Sequence, residues 1–225
     1  MVTIESAILA VHVVAGFVAL GTGAGAIVTK KGGRRHRLLG RTYVYGMAVV
    51  SATALGLLAL EQSLGRIFLG LIAVFSFYFA FSGFRVLSRK RTIGSPGTID
   101  WIAVALFGAS GLGLLSAGTW WVTIGESFGV VMLVFGVIAS VTTVQDVRLL
   151  RATELDARWW FFEHLQRMGA AYIATVTAFA AVNATFLPTI ARWLLPGILG
   201  GAAIWHVTRQ YKEKFDRETR LDPAD

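Results

Sequence analysis

The chain has 225 residues, of which 55% are hydrophobic and only 15% charged, and its formal net charge is +8. Soluble domains carry about 25% charged residues, so this composition suits lipid rather than water. The absence of cysteine excludes disulfides, covalently attached c-type haem and cysteine-ligated iron–sulfur clusters. The basic residues form no groove with interleaved aromatic residues, so no nucleic-acid partner is predicted.

Seven stretches are apolar and long enough to cross the hydrocarbon core as helices, which takes about 20 residues. They run over residues 5–29, 42–60, 66–87, 100–120, 124–144, 160–183 and 190–208. The sequence therefore predicts one all-α domain over 1–208, a polytopic transmembrane helical bundle of about seven helices. A charged cytoplasmic tail over 209–225 follows it. The short connections predict that consecutive helices pack as antiparallel neighbours.

The distribution of Lys and Arg predicts the orientation. The first, third and fifth connections and the tail hold all of these residues except Arg66, Arg167 and Arg192. By the positive-inside rule these connections and the C-terminus lie in the cytoplasm, and the N-terminus lies outside. We therefore predict a multi-pass protein of the cell (plasma) membrane.

Small residues in the helices predict where helices approach closely. Gly21 and Gly25, and likewise Gly197 and Gly201, are one helical turn apart, and a further run of glycines follows Gly108. Such faces let helix backbones approach each other in lipid. They favour close packing within the chain, or a homo-oligomer that uses the same faces.

Ionisable groups at membrane depth are costly, so each is a functional hypothesis. His12 lies in the outer half of the first stretch, where it could ligate a haem or metal, relay a proton, or bond to a neighbouring carbonyl or hydroxyl. Glu163 and Arg167 are spaced i, i+4 on the sixth stretch and can form an ion pair or polar cluster. His164 points elsewhere and is a candidate ligand or proton carrier.

The remaining two histidines lie near the cytoplasmic ends of helices. His36 lies within a basic segment whose arginines are candidate ligands of lipid phosphate: Arg34, Arg35, Arg37 and Arg41. His206 follows Trp205 near the inner end of the last stretch. An inner metal site built from His36, His164 and His206 is sterically feasible. His12 lies on the other side of the midplane and should not share a metal ion with them.

Several activities are excluded by missing residues. No predicted span contains Lys, so a retinal Schiff base is excluded despite the seven helices. The chain also lacks a Walker A loop, a nucleophile elbow and a His-Glu-x-x-His zinc motif.

A motif in the first connection is the basis of a resemblance to a protein family. It has the form Gly-x-x-His-Arg-x-x-Gly-Arg-x-Tyr and begins at Gly33 and ends at Tyr43. With His12 before it and His164 after it, the chain resembles an uncharacterised family of bacterial and archaeal multi-pass membrane proteins, a domain of unknown function. The resemblance implies a polytopic membrane protein without an established activity. It groups His12, His36, Arg37, Arg41 and His164 as one functional set.

Three functions fit these features. The first is a membrane redox protein whose histidines His12, His36 and His164 bind haem or a divalent metal, because helix bundles hold cofactors between facing helices. The second is a transporter or channel for a small solute or ion. The third is a non-catalytic assembly or scaffold protein that binds anionic lipid headgroups.

Overall fold

A computed structural model of the chain describes residues 3–90 and 96–221, with side chains up to 218. This part of the chain forms seven α-helices and one short 3₁₀ turn, Val86–Ser88. The helices are α1 (Ile4–Val28), α2 (Arg34–Leu60), α3 (Leu64–Arg85), α4 (Thr98–Thr123), α5 (Gly129–Arg151), α6 (Trp159–Asn183) and α7 (Thr189–Leu221). The predicted all-α bundle of seven helices is thus confirmed, and the Gly-rich α4 and α5 are both complete.

Within the described residues, six of the helices, all except α6, are long and apolar enough to cross a membrane. Their outward faces carry large apolar side chains, such as Val14, Phe17 and Ile198, which are 63%, 59% and 67% exposed. A water-soluble monomer rarely exposes contiguous apolar surface on this scale. The chain is a multi-pass membrane protein whose outer surface faces lipid.

Polar groups fix the starts of several helices. The hydroxyl of Thr3 accepts a hydrogen bond from the N–H of Ser6 at 3.1 Å, and the hydroxyl of Ser63 accepts one from the N–H of Arg66 at 3.3 Å. At α4, the Asp100 carboxylate accepts from the N–H of Gly97 at 2.9 Å. These contacts satisfy N–H groups that a helix start leaves without partners.

Helix α3 lies at the centre of the bundle and contacts α2, α4 and α6. Most consecutive helices pack against each other as expected, but α6 is an exception, because it packs on α3, α7 and α1 rather than extensively on α5. The prediction that consecutive helices pack against each other is therefore wrong for α5 and α6. The connection over residues 152–158 lets α6 move away from α5 and enter the bundle beside α3.

The predicted first connection is shorter than expected, because α2 begins at Arg34 rather than near residue 42. The backbone turns at Gly32, whose φ of 72° is in the left-handed region that favours glycine. His36 and the arginines of the basic segment therefore lie on the first two turns of α2. At the other end of the chain, α7 continues without a break from the apolar segment into the charged tail.

Glycines let α4 and α5 approach closely. A Cβ on Gly111 would lie 2.7 Å from the Cβ of Ala139, and one on Gly118 would lie 2.9 Å from the backbone oxygen of Gly129. The predicted packing role of the glycine run thus applies to this pair. By contrast, a Cβ on Gly21, Gly197 or Gly201 would meet no described atom within 4 Å.

Gly118→Ala should destabilise the protein by about 1–3 kcal/mol, because the added methyl group meets backbone atoms that cannot move aside. Gly197→Ala is the matched control and should leave stability unchanged or slightly higher, because its Cβ has open space and Ala favours the helix. Thermal unfolding in mild detergent would measure both. Equal loss of Tm in the two variants would contradict the close packing of α4 on α5.

Candidate functional site

The structure brings His36 on α2 and His164 on α6 together at the end of the bundle that is predicted to face the cytoplasm. Their ring centres lie 6.3 Å apart, and their ring planes make an angle of 78°. Both side chains are half-buried. Because the two residues are far apart in the chain, the juxtaposition depends on α6 packing inside the bundle.

Each ring is oriented by a hydrogen bond to a helix backbone. His36 Nδ1 lies 2.9 Å from the carbonyl oxygen of Ala26 on α1, and His164 Nδ1 lies 2.8 Å from that of Gly83 on α3. A carbonyl oxygen only accepts, so both Nδ1 atoms carry the proton and donate. In the neutral ring this leaves the lone pair on Nε2, the arrangement that metal-ligating histidines use.

Gly83 allows the approach that orients His164. A Cβ at this position would lie 3.0 Å from the Cβ of Arg167 and 3.1 Å from the sulfur of Met168. Glycine therefore lets the backbone of α3 lie against α6. The Gly83 carbonyl can then reach the His164 ring.

The surroundings of the histidine pair are basic. Lys31 lies close enough to His164 to act on it electrostatically, and its ammonium donates to the Ala26 carbonyl at 3.4 Å. Burial lowers the pKa of Lys31 from its ordinary value. The carbonyl groups at the C-terminal end of α1 thus hold both a histidine and a lysine, which suits the negative end of the helix dipole.

The other two histidines lie apart from this pair. His12 Nδ1 lies 3.1 Å from the Val50 carbonyl oxygen and 2.9 Å from the Thr53 hydroxyl, between α1 and α2. His206 is exposed on α7, where its Nε2 contacts the side-chain amide of Gln210 at 3.1 Å. In the described part of the chain, no three His, Asp or Glu side chains are grouped so that they could hold a metal ion.

The donor set of the pair suits a cofactor that needs two protein ligands. Two imidazoles on one metal ion, each with Nε2 about 2.0–2.1 Å from it, have ring centres at most roughly 6 Å apart. The ring centres of His36 and His164, 6.3 Å apart, are close to this upper value. A lone zinc ion takes three or four protein ligands, whereas haem iron already has four from its macrocycle and takes one or two from the protein.

A buried ion-pair network lies next to His164 on α6. Arg167 Nη1 donates to Asp146 on α5 at 3.0 Å, and its Nε donates to Glu163 at 2.8 Å. A second guanidinium nitrogen of Arg167 also contacts Asp146, and the hydroxyl of Tyr78 on α3 donates to the same carboxylate. Arg167 and Asp146 are only 8% and 3% exposed. The network therefore links α3, α5 and α6 inside the bundle.

Sequence reasoning recognised the Glu163–Arg167 spacing but missed the main partner of Arg167. Asp146 lies near the predicted end of its helix, and the sequence alone assigns neither Asp146 nor Tyr78 to Arg167. One signal was available: Asp146 is the only acidic residue of α5. An acidic group within an otherwise apolar helix usually has a cationic partner. Which cation it meets depends on the tertiary fold.

The arginines predicted to bind lipid phosphate lie on the surface. Arg34, Arg35, Arg37 and Arg41 are all exposed on the first two turns of α2. The guanidinium of Arg37 donates to the Gly32 carbonyl at 2.6 Å, which braces the turn between α1 and α2. Lipid binding by these residues stays a prediction.

Comparisons with protein-family models, with curated proteins and with solved structures found no match to this chain. The resemblance carried by the Gly33–Tyr43 motif therefore stays a prediction. Any functional conclusion depends on the geometry of the site.

Asp146→Ala should destabilise the protein by about 3–5 kcal/mol, because it leaves the Arg167 guanidinium buried without its main counter-charge. Glu163→Gln is the control and should cost less, because the Glu163 side chain is 30% exposed whereas that of Asp146 is 4% exposed. Thermal unfolding in detergent would compare them. A larger loss for Glu163→Gln would contradict the central role of Asp146.

Proposed function

We propose that this chain is a haem-binding membrane protein in which His36 and His164 would hold the haem iron, and that the haem would supply electron transfer at the cytoplasmic side of the plasma membrane. The observation that carries the proposal is the pair of neighbouring imidazoles, each of which donates from Nδ1 to a backbone carbonyl and makes no hydrogen bond through Nε2 within the described residues. Backbone carbonyls fix the tautomer without adding charge.

The ligand count favours haem over a lone divalent ion. Only two histidines meet at this site, and the described residues offer no third His, Asp or Glu to complete a metal site. The chain also has no cysteine for a thiolate ligand. A haem supplies the other four ligands of its iron and can accept and donate one electron.

The protein's own residues contribute position and charge. The carbonyls of Ala26 and Gly83 lie on two different helices, so they fix the two rings relative to the bundle. Lys31 and the arginines at the start of α2 provide positive charge beside the pair. This charge would attract the carboxylates of an acidic cofactor.

The purified protein, produced in cells with a full supply of haem, should show a Soret band and contain about one iron per chain. His36→Asn and His164→Asn should each lose most of that absorbance. Asn keeps a hydrogen-bond donor near the position of Nδ1 but has no nitrogen at the position of Nε2. The variants can therefore keep the contact with the backbone carbonyl while they lose the proposed iron ligand. Visible spectra, iron content and gel filtration on the same samples would measure the effect.

His206→Asn and His12→Asn are the matched controls and should keep the Soret band, because neither residue belongs to the pair. A colourless, iron-free wild-type protein that elutes as a single folded species would overturn the proposal. A Soret band that remains in both His36→Asn and His164→Asn would also overturn the proposal.

A second candidate is a transporter or channel for a small solute or ion. The observation that favours it is the buried pair of Arg167 and Asp146 inside the bundle. Intramembrane ion pairs often mark ion or proton pathways. A colourless wild-type protein would favour this candidate, because the histidines would then serve as proton carriers.

Single cysteines would test the proposed orientation, because the chain has none of its own. Ser127→Cys, in the α4–α5 connection, should react with an impermeant maleimide added to intact cells. Ser88→Cys, after α3, should react only once the membrane is opened. Both serines are exposed, so their intrinsic reactivity should be similar. Labelling of Ser88→Cys but not of Ser127→Cys in intact cells would show that the orientation is opposite to the predicted one.

A further inference from the structure

A charged cleft lies where the ends of α3, α4, α5 and α6 meet, apart from the histidine pair. It is partly open to the surface and encloses about 30 Å³. Five charged residues line it, namely Arg85, Arg89, Asp100, Asp146 and Arg167. A single water needs about 10–15 Å³, so the enclosed part has room for about two oxygen atoms.

Two of the three arginines are already paired. Arg85 forms a two-point contact with Asp100, at 3.0 Å through Nε and 3.1 Å through Nη2. Arg167 is paired with Asp146, and its second carboxylate, Glu163, does not line the cleft. Each carboxylate in the cleft therefore already has its own guanidinium.

Arg89 is the third arginine that lines the cleft, and neither of the two carboxylates is paired with it. It forms no ion pair with any residue in the described ranges 3–90 and 96–218, and its Nε is buried there without a hydrogen-bond partner. Burial lowers the pKa of Arg89; attraction to Asp100 opposes this, and Arg85 and Arg167 lower the pKa further. A buried donor without a partner is costly, so an anion that accepts from Arg89 would stabilise this end of the bundle.

Aromatic residues beside the cleft indicate its depth in the membrane. The guanidinium of Arg89 lies over the Trp159 ring, and that of Arg151 lies over the Trp101 ring, at 5.6 Å and 5.9 Å from the ring centres. Tryptophan favours the level of the lipid headgroups. The mouth of the cleft thus lies where lipid phosphates are found.

We propose that this cleft binds a phosphate group through Arg89, in addition to the proposed function of the histidine pair. The planar guanidinium matches the geometry of phosphate oxygens, and the enclosed volume admits two oxygen atoms but no sugar or acyl chain. The phosphate belongs to the headgroup of an anionic lipid or is free in the cytoplasm. Basic pockets between transmembrane helices on this side are sites where lipid headgroups bind.

The test uses the full chain in mild detergent. The Tm is measured against rising concentrations of short-chain phosphatidylglycerol or of inorganic phosphate, and the concentration dependence gives a dissociation constant. Short-chain diacylglycerol, which lacks the phosphate, is the blank for the lipid. Three variants are compared with wild type: Arg89→Gln, Arg89→Lys and Lys90→Gln. Lys90 is the matched control because it is adjacent, exposed and does not line the cleft.

We expect Arg89→Gln to weaken binding of the phosphate probe about tenfold, which corresponds to about 1.4 kcal/mol. Arg89→Lys should fall between this variant and wild type, and Lys90→Gln should stay within about twofold of wild type. If phosphatidylglycerol alone stabilises the wild type, the ligand is a lipid headgroup; if inorganic phosphate does so equally, it is a free anion. The same loss in Arg89→Gln and Lys90→Gln would overturn the proposal, as would no loss in Arg89→Gln or stabilisation by diacylglycerol.

Discussion

The ion pair between Arg167 and Asp146 is the contact on which the predicted cytoplasmic half of this bundle depends. Two charges taken out of water are stable only when they meet with good geometry and their remaining donors and acceptors are satisfied. Here Tyr78 and Glu163 supply the further contacts. The pair joins α6 to α5, two helices whose backbones pack little on each other, and Tyr78 adds α3 to the same network. His164 lies one turn away on α6, so its position depends on this anchoring.

The two sites differ in how their charges are balanced. In the histidine pair, each imidazole ring is oriented by a backbone carbonyl, which carries no net charge. In the cleft, two carboxylates neutralise two guanidinium groups, and the guanidinium of Arg89 has no carboxylate partner among the described residues. The first arrangement suits a metal centre and the second suits an anion. Both lie at the same predicted side of the membrane, with α3 and α6 contributing to each.

The helices were predictable because the bilayer demands long apolar runs, and six of the seven carry a clear one. The number and type of helices follow from that demand, and so does the close approach of α4 and α5 through glycine. From the sequence, contact between His36 and His164 was sterically feasible but could not be predicted. The order of helices in the chain does not determine which non-consecutive helices touch. Asp146 was missed for the same reason: its partner lies across a connection after which α6 leaves α5 and packs on α3.

The low hydropathy of α6 has a consequence for biogenesis. This helix carries Glu163, His164 and Arg167, so it is a poor substrate for insertion by itself. The residues outside α6 that compensate its polar groups, Tyr78, Gly83 and Asp146, all precede it in the chain. During synthesis from the N-terminus, these partners enter the membrane before α6 leaves the ribosome. The translocon can therefore release α6 into a bundle that already holds its counter-charges, and the order of the helices protects the one whose ionisable side chains lie inside the bundle.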